Sequence, residues 1–358
     1  MNGLPEKMKA LVVYAPGDYR LEYIPTPRAT GDDVIVRVEG CGVCAGDTKT
    51  FAGAKSIWGG DGQPPYIKTP VVPGHEFVGT VVEIGPEQRE FKIGDRVVSE
   101  QIVPCGECKF CNTGRYWMCQ KHDLYGFQYN VNGGMAEYMR YPHEGRKFKI
   151  PNEMPLEQAL LIEPYGCSKH CVDRAKITNE DVVVLAGAGT LGLGMVGAIR
   201  KKNPDLFIVL DMNDMRLEKA KEFGADMVIN PGKEDAVAIV KELTGGYGCD
   251  VYIEATGHPS SVHQGLDMIR KMGTFVEFSV FKDPVTVDWS IIGDRKELDI
   301  YGAHLSPYCY PSVINWILDG TMPTNGVVSH TFPLDRWKEA FEMSATGADN
   351  SLKVAIIP

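Results

Sequence analysis

The chain has 358 residues, 44% hydrophobic and 23% charged, an ordinary soluble mix with apolar surface enough for more than one core. Its formal net charge is -10, and no block of like charge or basic amphipathic stretch stands out, which argues against nucleic acid or an anionic membrane as partner. No run reaches the ~18 apolar residues of a membrane span, and Met1 to Glu6 has no basic start followed by an apolar core, so a cytoplasmic protein is expected. In that reducing setting, ten cysteines are expected to bind metal rather than to pair as disulfides.

From Met8 to Ile150, short alternating apolar runs are separated by Gly, Pro and Asp, the pattern of a β-rich domain. Val34 to Val38 and Val78 to Ile84 are the clearest strands. Phe51 to Pro73 is rich in Gly and Pro without periodicity and is expected to be a long surface excursion of the kind that borders binding sites. Two short clusters carry chemistry here: Cys41 to Asp47, which holds Cys44, and Pro73-Gly74-His75-Glu76. Taken singly, a buried cysteine and a capped histidine are unremarkable core residues. Cys105, Cys108, Cys111 and Cys119 follow, with two, two and seven residues between them. Four thiolates so spaced can close around one tetrahedral zinc and leave no position for substrate, so this metal is expected to be structural. A zinc ribbon that binds nucleic acid is the rival reading, but Lys109, Arg115 and Lys121 are a thin basic complement for it.

After Leu161-Ile162-Glu163-Pro164 the pattern changes to apolar strands alternating with helical stretches, as in a parallel sheet. Strands are expected at 182–186, 206–210, 227–229, 251–254, 274–280 and 298–301, with a helix at 215–223. Six strands suffice for a doubly wound α/β domain. The first of them runs into Gly187-Ala188-Gly189-Thr190-Leu191-Gly192. There Gly187 would allow a tight turn, Gly189 would let the backbone approach a pyrophosphate, and Gly192 would let the helix pack close to the strand. From about Ala303 onward, helices at 311–318 and 334–343 and a strand at 354–357 are expected to return to the first domain.

In this order, the two short clusters, the four-cysteine loop, Glu163 and the glycine turn resemble the zinc-containing medium-chain dehydrogenase/reductase family over essentially the whole chain. The resemblance implies a GroES-like, β-rich catalytic domain at 1–164 and 304–358, and a Rossmann NAD-binding domain at 165–303. It also implies two zinc ions per chain. The catalytic one would be held by Cys44, His75 and Glu163, with Glu76 and Asp47 beside the ligands or, for Glu76, as an alternate ligand. Such a three-ligand zinc keeps an open position and acts as a Lewis acid on an alcohol. Glutamate at position 163, where alcohol dehydrogenases of the family commonly have cysteine, looks like the sorbitol and other polyol dehydrogenases. The substrate implied is a small polyol or its ketose, a tetritol such as erythritol or threitol being at least as near as sorbitol. A threonine dehydrogenase and a non-enzymatic binding protein on the same fold are the alternatives. The family also implies a homodimer or homotetramer joined near Leu298 to Gly302.

Two departures from the polyol pattern bear on the proton path. Gly46 stands where relatives usually carry Ser or Thr, and Lys49 where they often carry His. Ordered water with Lys49 or Asp47 is the expected substitute. For the cofactor, Asp211 ends the second strand 24 positions beyond Gly187, placed to bind the adenosine ribose and repel a 2'-phosphate, which favours NAD over NADP. Arg216 complicates this from the following helix, and Asp211 could instead cap that helix. Thr256 and Gly257 after the fourth strand, and Phe278 and Ser279 after the fifth, are cofactor contacts expected from position alone. Phe51, Trp58, Phe127 and Tyr165 are candidates to line the substrate pocket.

Overall fold

A computed structural model describes residues 3–358. The chain forms two units, residues 3–163 with 324–358, and residues 164–323.

The first unit is built on a seven-stranded sheet. Its path runs Val328–Pro333, Lys353–Ile357, Val34–Val43, Glu76–Ile84, Arg96–Ser99 and Lys147–Ile150, with Tyr138–Tyr141 also paired to Val34–Val43. Val34, Ile35 and Val36 are all fully buried, so the central strand is covered on both faces. That is why its sequence is a continuous apolar run rather than an alternation. A register shift between Val38 and Gly40 interrupts the pairing just before Cys41, and such bulges re-aim the residues that follow. The hairpin Lys7–Ala15 with Asp18–Pro25 adds Tyr19 to a ring cluster with Phe51, Trp337 and Phe341, whose centroids lie 5.0 to 6.0 Å apart. Phe51 is therefore part of the packing that holds helix Trp337–Thr346 to the first unit.

The second unit is a six-stranded parallel sheet in the order Met227–Ile229, Leu206–Leu210, Val182–Ala186, Cys249–Glu254, Ile269–Glu277, Asp299–Gly302. The strand order reverses beside Val182–Ala186, whose Val183, Val184 and Leu185 are fully buried. In open parallel sheets the ligand crevice lies at such a reversal, outside the carboxyl ends of the strands.

The first three strands have the bounds expected from their apolar runs. The fifth differs: it begins at Ile269 and stops at Glu277, because the Phe278 amide already turns back to the Glu254 carbonyl at 3.2 Å. The boundary at 303 also moves. Helix Tyr310–Leu318 lies in the second unit, with Val313, Ile314 and Ile317 buried. The Tyr165 hydroxyl donates to the Pro323 carbonyl at 2.7 Å, and a Cβ on Gly197 would stand only 2.9 Å from the Thr321 carbonyl, so the chain is stitched to this unit as far as Pro323. No described helix is long and apolar enough to cross a membrane.

Candidate active site

The glycine turn follows directly from the strand before it. Gly187 has φ +107°, a left-handed value that suits glycine, and a Cβ on it would stand 2.7 Å from the Ala255 carbonyl. A Cβ on Gly192 would fall 2.0 Å from the Gly187 carbonyl, so helix Thr190–Lys202 can begin this close to the strand only without a side chain there. Gly189 is different, since a Cβ on it would meet only an Arg216 nitrogen at 3.9 Å. Nothing in the chain itself demands glycine at that position, as expected if the demand comes from a ligand approaching the backbone. Thr190 and Leu191 form the first turn of the helix, and the Leu191 carbonyl accepts from Ser168 Oγ at 2.7 Å.

Beside this turn lies a cleft of about 590 Å³ lined by Gly187, Gly189, Asp211, Arg216, Thr256 and His258 among others. Asp211 Oδ2 accepts from the Ala188 amide at 2.7 Å, and Oδ1 accepts from the Asn213 amide at 2.8 Å. The helix cap itself is Asn213, whose side chain accepts from the Met215 and Arg216 amides, so Asp211 is not the cap. Arg216 Nε is buried without a hydrogen-bond partner. Of the other positions expected to meet a cofactor, only Thr256 reaches the cleft wall. Gly257 stands 3.5 Å, by its Cβ position, from Ser279, and Phe278 and Ser279 lie with it at the carboxyl edge without lining that cleft.

In the first unit, ligand atoms of Cys44, His75 and Glu76 lie within 4.8 Å of one another. Cys44 follows the strand Val34–Val43 and caps helix Ala45–Phe51, and its amide donates to Asp47 Oδ2 at 2.9 Å. Asp47 Oδ1 is 3.9 Å from His75 Nδ1, which is buried without a hydrogen-bond partner. Glu76 sits opposite Gly42 across the strand pair, where a Cβ would be 2.2 Å from its carboxylate, which accounts for the second glycine of the Gly40-Cys41-Gly42 run. Both Glu76 oxygens accept from Lys353 Nζ, at 2.7 and 2.6 Å, and Lys353 also donates to the Val43 carbonyl at 3.2 Å. Glu163, the third ligand expected from the sequence, is not in the group of three. Its Oε1 accepts a short hydrogen bond from Gln101 Nε2.

Electrostatics identify what this cluster suits. Burial opposes a charge on His75, yet Cys44, Asp47 and Glu163 together hold its pKa well above the usual imidazole range. Burial raises the Asp47 carboxyl, and His75 only partly offsets it. Burial likewise opposes the Lys353 ammonium, but Glu76, Cys44 and Glu163 more than compensate. Four acidic groups, Cys44, Asp47, Glu76 and Glu163, thus act on one another with one lysine among them. A dication held by thiolate, imidazole and carboxylate would relieve that imbalance, and the orphaned imidazole nitrogen fits the same purpose.

Cys105, Cys108, Cys111 and Cys119 also bring their sulfurs within 4.8 Å of one another. The Cys105–Cys111 and Cys108–Cys111 sulfur separations are 4.0 and 3.5 Å. A tetrahedral zinc about 2.3 Å from each sulfur needs them roughly 3.8 Å apart. Backbone amides of Gln120 and Cys105 donate to the Cys108 and Cys119 sulfurs at 3.4 and 3.3 Å. The Gln120 amide and its neighbours bring the Cys108 thiol down to about 6, while burial pushes Cys111 up to about 12.

Of the four aromatic residues expected at the pocket, only Phe127 stands by the metal group, its ring 5.6 Å from that of His75. Trp58 donates to the Thr50 carbonyl and packs on the core, and Tyr165 is fully buried in the second unit. Lys49 lies in the last turn of helix Ala45–Phe51. Lys353 and Gln101 are not legible as site residues in the sequence. Each is a common residue in a strand or loop context, and only the fold brings them to Glu76 and Glu163.

Residues 30–152 match the alcohol dehydrogenase GroES-like domain, and residues 191–319 match the zinc-binding dehydrogenase domain. The chain belongs to the zinc-binding medium-chain alcohol dehydrogenase family. It is 49% identical to an erythritol/L-threitol dehydrogenase of Mycolicibacterium smegmatis over 360 residues, 100% of this chain and 99% of that one. Among solved structures it is similar to a zinc-binding dehydrogenase of Sinorhizobium meliloti 1021 bound to NADP, with TM-score 0.88 and 28% identity, covering 99% of this chain and 100% of that one. It is also similar to an alcohol dehydrogenase of Escherichia coli CFT073 complexed with NADH, with TM-score 0.87 and 27% identity over the same shares.

Two outcomes are expected. Lys353→Met leaves Glu76 buried without its counter-charge and should cost about 3–5 kcal/mol, read as a shift in the urea midpoint. A loss under about 1 kcal/mol would mean that the pair is not a structural tie. The second concerns Glu277, whose Oε1 is buried without a partner beside Glu254. Burial first, and Glu254 second, push its carboxyl up from 4.5 to about 7. An acid raised on folding costs nothing while protonated; stability then falls as pH rises from 4.5 towards 7, and the full cost remains above that. Glu277→Gln should flatten the decline of melting temperature between about pH 5 and 8, and an unaltered slope would assign the decline elsewhere.

Proposed function

We propose that the chain oxidises a secondary alcohol of a small polyol, a tetritol such as erythritol or threitol, to the ketose, with NAD as hydride acceptor. The converging Cys44, His75 and carboxylate group carries this reading, because a thiolate, an imidazole and a carboxylate together suit a catalytic zinc with one position left for substrate. Zinc held there supplies Lewis acidity that makes the alcohol proton easier to lose, and NAD supplies the acceptor for the hydride. Cys44 and His75 would hold the metal, and a carboxylate of Glu76 or Glu163 would complete the set. Asp47 orients the assembly through the Cys44 amide. The structural zinc belongs to the four cysteines.

Asp211 supports NAD over NADP, because its carboxylate at the strand end faces the cleft where an adenosine ribose would lie. The similarity to the Mycolicibacterium enzyme supports the tetritols. The deciding measurement is NADH formation by zinc-loaded protein over C3 to C6 polyols, with initial rates compared for NAD and NADP. The highest kcat/KM is expected with a tetritol and NAD. A clear NADP preference would overturn the cofactor assignment, and inactivity on every polyol would overturn the reaction.

Gly46 supplies no hydroxyl to carry the alcohol proton outward, and Asp47 Oδ2 is committed to the Cys44 amide. Lys49, on the same helix, and the other Asp47 oxygen are the candidates to assist water in that role. Lys49→Ala should lower kcat and displace its pH profile; if both stay as in the wild type, Lys49 has no part in the relay.

A further inference from the structure

One wall of the cofactor cleft hangs on a carboxylate that is itself sealed from solvent. Glu254 is 0% exposed and ends the strand Cys249–Glu254, where its register partners are Ala186 on one side and Glu277 on the other. Its Oε1 accepts from the Thr256 amide at 2.8 Å, from the Thr256 hydroxyl at 2.5 Å and from the Gly257 amide at 3.2 Å. The bonds continue outward from there. Thr256 Oγ1 accepts from the His258 amide at 3.0 Å, and His258 Nδ1 accepts from the Ser260 amide at 3.3 Å, capping helix Pro259–Met268. Ala255, Thr256, His258 and Ser260 all line the cleft, on which Asp211 and Arg216 also open.

We propose that Glu254 is a positioning residue for the dinucleotide: its carboxylate holds the wall from Ala255 to Ser260 in place for the adenosine half, so that cofactor affinity depends on it and the chemistry at the metal does not. This rests on the reading of the cleft as the NAD site. The wall has no slack toward the glycine turn. The Ala255 amide donates to the Ala186 carbonyl at 2.9 Å, and the Ala255 carbonyl oxygen and Thr256 nitrogen lie 2.7 and 3.3 Å from where a Cβ on Gly187 would stand. A shift of residues 255–257 therefore moves directly against the turn that suits a pyrophosphate.

Packing alone does not account for an acid at this position. Glu277 stands opposite Glu254 on the next strand, and the buried Cys171 thiol of helix Ile162–Ala175 is pushed up by burial and then by both carboxyls. An apolar side chain at 254 would avoid that crowding. What the carboxylate supplies is a charged acceptor for three donors of one loop, and bonds of that kind are the strong ones. Glu277 differs. Its Oε1 is buried without a partner, and it is drawn down only by the Ser279 amide, outside the wall. Thr256, His258 and Ser260 are exposed, so once released from Glu254 their donors meet water, and the wall moves while the core beneath keeps its packing.

The test uses zinc-loaded wild type, Glu254→Leu, Glu254→Gln and Glu277→Gln. Calorimetric titration gives Kd for ADP-ribose, which has no nicotinamide and cannot react, and steady-state rates give kcat and KM for NAD. Glu254→Leu should weaken ADP-ribose about 10-fold or more, the range for lost hydrogen bonds to a charged group, and raise KM for NAD in parallel, with kcat at saturating NAD within about 2-fold. Glu254→Gln keeps an oxygen for Thr256 but not the charge, so a weakening of about 3-fold is expected, and this variant decides the matter if the leucine one folds poorly. Glu277→Gln, which removes the neighbouring acid and leaves the wall, should keep the wild-type Kd. Wild-type affinity in both Glu254 variants, an equal weakening in Glu277→Gln, or a fall in kcat with Kd unchanged would overturn the positioning role and leave the NAD reading intact. A wild type that binds neither ADP-ribose nor NAD would sink both.

Discussion

The constraint on which the first unit turns is the crowding of several acidic groups in one place. Cys44, Asp47, Glu76 and Glu163 act on one another around His75, and Lys353 is the lysine bound among them. In a low-dielectric interior such a group is unstable by itself, because each carboxylate loses its water and gains a like-charged neighbour. The fold offsets this with specific devices. Gly42 clears room for the Glu76 carboxylate, Lys353 binds both of its oxygens, the Cys44 amide caps Asp47, and Gln101 holds Glu163. What remains is a donor set of thiol, imidazole and carboxylates that would suit a metal ion of charge two.

The second unit solves a different problem with uncharged means. Its crevice is shaped by absent side chains at Gly187 and Gly192 and by backbone amides at the start of a helix, which suit phosphate without any lysine. Asp211 and Arg216 then meet at the cleft with opposite charge. One is tied to two amides, and the other keeps a buried, unpartnered Nε. The cleft wall thus carries one carboxylate and one guanidinium beside its glycines.

How far the sequence reveals these arrangements depends on whether the determinant is local. The strand Val182–Ala186 and its turn are legible because period, turn and helix start are written within a dozen residues. The four cysteines are legible from spacing alone, and their sulfurs do converge. The boundary at Pro323 is not, since it rests on Tyr165 reaching a carbonyl 158 residues away. The partners of the site acids are hidden for the same reason: Lys353 is 277 residues from Glu76, and Gln101 is 62 from Glu163. Aromatic residues mislead because bulk says nothing about which cavity a ring fills. Phe51 goes to the core cluster and Phe127 to the metal group.

The distance between Cys44 and Lys353 has a consequence for how the molecule is made. The strand that carries Lys353 pairs with the strand that ends at Val43, yet the whole of residues 164–323 is synthesised between them. During translation, Glu76 therefore waits for its lysine until the whole second unit has been made. A chain arrested before Lys353–Ile357 therefore has the glycine turn of the second unit encoded in full while Glu76 still lacks the lysine that binds both of its oxygens.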